Sequence, residues 1–139
     1  MLARAMDSLY QEQILALAKR ARDPAGLDSP THEATISNPT CGDRVHLTIR
    51  VDSDRITAAS ATVRGCALCE AGAGLFVEMA PGMKISDVAT VRDGLANWLA
   101  GTEANTPHPQ MQVFEPVQPI RSRHKCVTLA MEAATKALG

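Results

Sequence analysis

Apolar residues recur at steps of three and four from the start of the chain. Leu2, Met6, Leu9, Tyr10, Ile14 and Leu17 share one face of an amphipathic helix predicted over residues 2–20. Lys19, Arg20 and Arg22 load the end of that helix that favours cations. The run Asp23-Pro24-Ala25-Gly26-Leu27-Asp28-Ser29-Pro30 breaks the pattern, and residues 31–40, closed by Asn38-Pro39, read as a loop or edge segment. Val45, Leu47, Ile49 and Val51 then alternate with Arg44, His46, Thr48 and Arg50, the period of a half-buried strand. Asp52-Ser53-Asp54 suits a turn, and residues 56–63 the returning strand.

The pattern returns to helix at Ala67, through Leu75, Phe76 and Met79, until Pro81-Gly82 stops it. Ser86 is placed to cap a further helix with Val88, Val91, Leu95, Trp98 and Leu99 on its apolar face. Residues 100–110, with Gly101, Asn105, Pro107 and Pro109, read as an exposed, mobile link, and Pro116 and Pro119 as marks of an extended piece. A last helix is expected from near Ser122, with Val127, Ala130, Met131, Ala134 and Leu138 facing inward. The fold class implied is α+β: a small antiparallel β-sheet of about three strands with helices packed on one face. A length of 139 residues fits one domain, 1–139.

Composition narrows the function. Aromatic residues make up 3% of the chain and the net charge is −1, so neither a base-stacking platform nor a polyanion-binding surface is expected, and no nucleic acid partner. No run approaches the ~20 apolar residues of a membrane span, and residues 1–7 lack the apolar core of a signal peptide. The expected location is the cytoplasm, with no membrane partner, where thiols stay reduced. Four cysteines there point to metal binding or reactivity rather than disulfides.

Three of them fall at element boundaries. Cys41 follows Asn38-Pro39-Thr40 and precedes Gly42-Asp43; in an extended loop residues two apart point the same way, so Cys41 and Asp43 can face one ion. Cys66 stands at the strand-to-helix junction after Gly65. Cys126 lies in the first turn of the last helix beside Arg123 and Lys125, a setting that favours the thiolate. Three thiolates and a carboxylate make a tetrahedral zinc set. The same set can hold an iron–sulfur cluster, with the carboxylate as the labile ligand. The bland alternative is that Cys66 and Cys126 are small buried residues.

Asn38-Pro39-Thr40-Cys41-Gly42-Asp43 resembles the first-cysteine signature of the IscU/NifU/SufU iron–sulfur assembly scaffold family. Gly65-Cys66-Ala67-Leu68 resembles the second, and Arg123-His124-Lys125-Cys126-Val127-Thr128-Leu129-Ala130 the third. The opening from Leu9-Tyr10 to Leu27 is similar to the family's first helix and turn. The long stretch from Cys66 to Cys126, and Lys125 rather than histidine before Cys126, look like the SufU branch. That resemblance implies an IscU/NifU N-terminal-like fold and a Zn2+ site of Cys41, Asp43, Cys66 and Cys126. It also implies a cysteine desulfurase as sulfur donor, with downstream iron–sulfur assembly or acceptor proteins as further partners. A SufU-like protein would take persulfide on Cys41; an IscU-like one would favour Cys126 and hold a transient [2Fe–2S] cluster. Whether this is sulfurtransferase-like catalysis or non-enzymatic scaffolding stays open.

The chain departs from the family pattern at two places. Where a small residue is usual it has Cys69, which Cys66-Ala67-Leu68-Cys69 puts on one helix face with Cys66, as a rival to Asp43 for the fourth ligand position. Leu15-Ala16-Leu17-Ala18 stands where the family often has a histidine. The rival functions are a structural zinc-binding interaction domain without sulfur transfer and a Cys66/Cys69 thiol–disulfide switch, the latter without the expected βαβ pattern. His124 is a candidate proton relay, a residue that swaps onto the metal, or a solvated side chain; His46 and His108 are expected to be exposed, and Trp98 is expected in the core.

Overall fold

The structure, a computed structural model, describes residues 2–21, 26–39 and 42–139, and of residues 2–10 the helical backbone alone. In chain order come α1 (Leu2–Arg20), β1 (His32–Asn38), β2 (Asp43–Asp52), β3 (Arg55–Arg64), α2 (Ala67–Met79), α3 (Val88–Ala100) and α4 (His124–Leu138). Short 3-10 helices lie at Ile85–Asp87, Pro109–Val117 and Arg121–Arg123. The apolar positions Leu2, Met6, Leu9 and Tyr10 fall where side chains lie outside the described residues; Ile14 and Leu17 pack into the core.

The sheet is antiparallel in the order β1-β2-β3. β1 is one edge strand, paired with β2 from His32↔Ile49 to Asn38↔Asp43, and β3 is the other, meeting β2 from Arg44↔Arg64 to Asp52↔Arg55 with a bulge between Arg50 and Val51. Period two puts Val45, Leu47 and Ile49 on one face, and all three are fully buried. Against that face α4 packs on β1 and β2 and α2 on β3; α1 covers α2 and α3 covers α4. The helices therefore lie on one side, as alternation in β2 requires. Part of the outer face is also covered: the Leu27 amide donates to Thr48 Oγ1 at 3.3 Å, and the Arg50 guanidinium donates to the Asp28 carbonyl.

α2 is the pivot of the helical layer. Its Ala71-Gly72-Ala73-Gly74 stretch is buried throughout because both neighbours approach to backbone contact. A methyl at Gly72 would run into the Val127 carbonyl of α4, and one at Gly74 into the Leu17 carbonyl of α1. Among the described residues no helix is long and apolar enough to cross a membrane.

Two local expectations are corrected. Ser86 does not cap α3: the Ile85 amide is held by the Asp54 carbonyl at 2.9 Å, which bends residues 85–87 into a 3-10 turn and delays the helix to Val88. The segment around Pro116 is a 3-10 helix, not an extended piece; Met111, Phe114 and Val117 are buried at steps of three, the period of that helix. It starts inside the predicted link, where the His108 ring accepts from the Gln110 amide at 3.2 Å. α4 begins at His124 after a 3-10 turn through Ser122, in keeping with the expected start near Ser122. Trp98 is in the core, as expected.

Candidate metal centre

Strand alternation assigns Asp43 to the same face as Val45 and Leu47, so its carboxylate is drawn inward and only 4% exposed. The β3-to-α2 junction delivers Cys66, an extended residue in the N-cap position of α2. Its amide donates to Asp43 Oδ1 at 3.3 Å, and its thiol lies 4.0 Å from Oδ2. α4 delivers Cys126, 1% exposed, whose thiol donates to the same Oδ2 at 3.1 Å. Gly65 makes the meeting possible: a Cβ there would stand 2.5 Å from Asp43 Oδ1. The glycine before Cys66 is the sequence signal for this close approach.

The ligand atoms of Asp43, Cys66 and Cys126 all lie within 4.8 Å of one another. Tetrahedral zinc, with Zn–S near 2.3 Å and Zn–O near 2.0–2.2 Å, sets its ligand atoms about 3.5–3.8 Å apart. The 3.1 Å and 4.0 Å separations bracket that span, and two sulfurs with a buried carboxylate are a donor chemistry zinc favours. The residues fit the ion.

Burial, then the hydrogen bond to Asp43, then the charge of Cys66 push the Cys126 thiol far above its ordinary range. The basic neighbours expected to favour its thiolate do not reverse this. Arg123 and Lys125 are exposed, where solvent screens them, and Lys125 pairs with Glu132 at 3.2 Å. Desolvation outweighs them, and a bound cation would be the natural counter-charge.

Cys69 is fully buried in the core within the first turn of α2, and it is not in the three-residue group. Cys41 lies outside the described residues. His124 turns from the site: its Nε2 lies 2.9 Å from the Gln118 carbonyl and 3.1 Å from that of Val117, joining the start of α4 to the end of the 3-10 helix Pro109–Val117. His46 is half-buried rather than exposed, its Nδ1 2.7 Å from Thr35 Oγ1, and His108 is half-buried too.

Comparison with known proteins agrees with this architecture. The family model of the NifU-like N-terminal domain matches residues 9–139. The zinc-dependent sulfurtransferase SufU of Bacillus subtilis (strain 168) is 26% identical over 133 residues, covering 94% of this chain and 90% of that protein. The iron–sulfur cluster assembly scaffold protein IscU of Streptococcus pyogenes serotype M1 is 25% identical over 135 residues, covering 96% and 84%. In fold, the chain is similar to the N-terminal NifU-like protein of Brucella abortus, with a TM-score of 0.83 at 23% identity over 95% of this chain and 93% of that one. With its sheet, its three cysteine segments and every helix but the first turns of α1 inside the matched span, this chain belongs to the NifU-like N-terminal domain family.

Proposed function

We propose that this chain is a metal-binding sulfur acceptor of iron–sulfur cluster assembly, loaded by a cysteine desulfurase and passing sulfur to downstream assembly or acceptor proteins. The observation that carries the reading is the convergence of the Asp43 carboxylate with the Cys66 and Cys126 thiols from three separate elements. The relative SufU, zinc-dependent by name, supports zinc as the ion. Asp43, Cys66 and Cys126 would hold it, with Cys41 as the further ligand and the sulfur acceptor. When bound, zinc would keep the thiols as thiolates and protect them from oxidation. A reducing, cytoplasmic setting suits such thiols, and residues 1–139 act as one domain in this reading.

The transfer needs no redox partner. The Cys41 thiolate attacks the outer sulfur of the desulfurase persulfide, that S–S bond breaks, and the donor cysteine leaves as a thiolate that takes up a proton. Cys41 then carries the persulfide. Cys126 is poorly placed as the acceptor because it is sealed at 1% exposure.

The test is elemental analysis for zinc, iron and labile sulfide, followed by incubation with a cysteine desulfurase and cysteine and by intact-mass measurement. One zinc per chain and one added sulfur, absent in Cys41→Ala, is the expected result. Equal loading of Cys41→Ala would remove Cys41 as acceptor, and iron with matching sulfide would favour a [2Fe–2S] scaffold. The burial of Asp43 and Cys126 also suits a second reading, a structural zinc domain that binds partners without sulfur transfer. That reading predicts unfolding on zinc removal and no added sulfur.

A further inference from the structure

The outer face of the sheet carries a basic cleft that the metal centre does not use. Arg44 and Arg64 are direct partners across β2 and β3, and His46 and Thr62 are partners two residues further along the same face. With Val63 these side chains line a cavity of about 160 Å³. Arg44, Thr62 and Arg64 are exposed and His46 is half-buried. Like charges directly opposite on neighbouring strands destabilise a sheet. Several other basic side chains are engaged: Arg20 with Glu78, Arg92 with Asp93, Lys125 with Glu132, and Arg55 with the Gly82 carbonyl. Neither Arg44 nor Arg64 has an ion-pair partner among the described residues.

The position of the cleft gives it a use. Arg44 directly follows Asp43, and Arg64 stands two residues before Cys66, so the two arginines mark the end of the sheet that bears the metal centre. Strand alternation turns them to the opposite face from Asp43. A body seated on that outer corner reaches around the sheet end to Cys66, the half-exposed member of the group.

We propose that this cleft anchors an acidic side chain of the protein that exchanges sulfur with the metal centre, a carboxylate clamped between Arg44 and Arg64. A guanidinium presents a planar fork of donors that matches a carboxylate, and the cavity has room for one such side chain rather than for a helix. The partner's role rests on the function proposed above; the anion chemistry of the cleft does not.

The experiment is a titration of the full, zinc-loaded chain with a hexaglutamate peptide, followed by amide and arginine side-chain NMR shifts, with inorganic phosphate as a second probe. Saturable shifts at Arg44, His46, Thr62 and Arg64 are expected, with affinity about tenfold weaker in the Arg44→Glu/Arg64→Glu variant. Circular dichroism and zinc content should match the parent; Arg44→Gln/Arg64→Gln is the milder variant should charge reversal disturb the fold. Shifts that do not saturate, equal binding by the variants, or phosphate binding more tightly than the peptide would overturn the proposal. With a cysteine desulfurase as donor, the variant should raise KM for the acceptor about tenfold and leave kcat unchanged. A parent chain that takes up no sulfur would defeat the functional reading alone, and the peptide titration would still decide the cleft.

Discussion

The Cys126 thiol donates a hydrogen bond of 3.1 Å to the Asp43 carboxylate across 83 residues of sequence. Cys66 contacts the same carboxylate through both its amide and its thiol. Asp43 is thus the hub through which the two cysteines meet.

Asp43→Ala should lower zinc affinity by at least the 10–100-fold typical of lost supporting groups, measured by competition with a chromogenic chelator. Cys69→Ala, which empties a core position outside the group, should keep full zinc stoichiometry and lose only about 1 kcal/mol of stability. Reversed outcomes would make Cys69 the ligand in place of Asp43.

The raised Cys126 thiol fixes the direction of two pH effects. Zinc binding needs the thiolate, so loading releases a proton from Cys126 and affinity should rise with pH, about tenfold per unit for each proton released. Calorimetry in buffers of different ionisation enthalpy counts those protons. In the metal-free chain the unfolded thiol titrates near the ordinary value of 9.0 while the folded one stays protonated. The folded state then binds more protons, so stability should fall as pH rises above 9.0. Chemical denaturation on both sides of that value checks the sign.

Gly65→Ala should separate fold from site. The added Cβ meets the Asp43 side chain at 2.5 Å, so the carboxylate must shift while the sheet and helices remain. The expected signature is a far-ultraviolet spectrum like the parent's with zinc affinity reduced about tenfold or more.

His124→Ala should lower the melting temperature by a few degrees and leave zinc binding intact. Its ring bonds to the Val117 and Gln118 carbonyls, and breaking such a tie costs about 1 kcal/mol. A loss of sulfur uptake without loss of stability would restore it as a proton relay.

What could be read from the sequence was whatever a single period controls. Alternation at Val45, Leu47 and Ile49 located β2 and its buried face, and steps of three and four located α1, α2 and α4. The 3-10 helix at Pro109–Val117 escaped because proline's fixed φ suits extended and 3-10 backbone alike. Burial at Met111, Phe114 and Val117 shows its period only once the core is known. For the site, no spacing could join Asp43, Cys66 and Cys126, since their meeting depends on the β2–β3 register and on how α4 packs. The three motifs of the family resemblance named them together. The arginines facing each other across β2 and β3 went unread for the same reason: Arg44 and Arg64 become neighbours only through strand pairing.

The glycines of α2 divide the molecule by what can change. At Gly72 and Gly74 not even a methyl group fits unless α4 or α1 moves, so these three helices can drift in sequence only in concert. The outer face at Arg44 and Arg64 is held by no such packing. A lineage of such proteins can therefore be retuned to a new partner one surface substitution at a time, while the frame that aims the cysteines stands still.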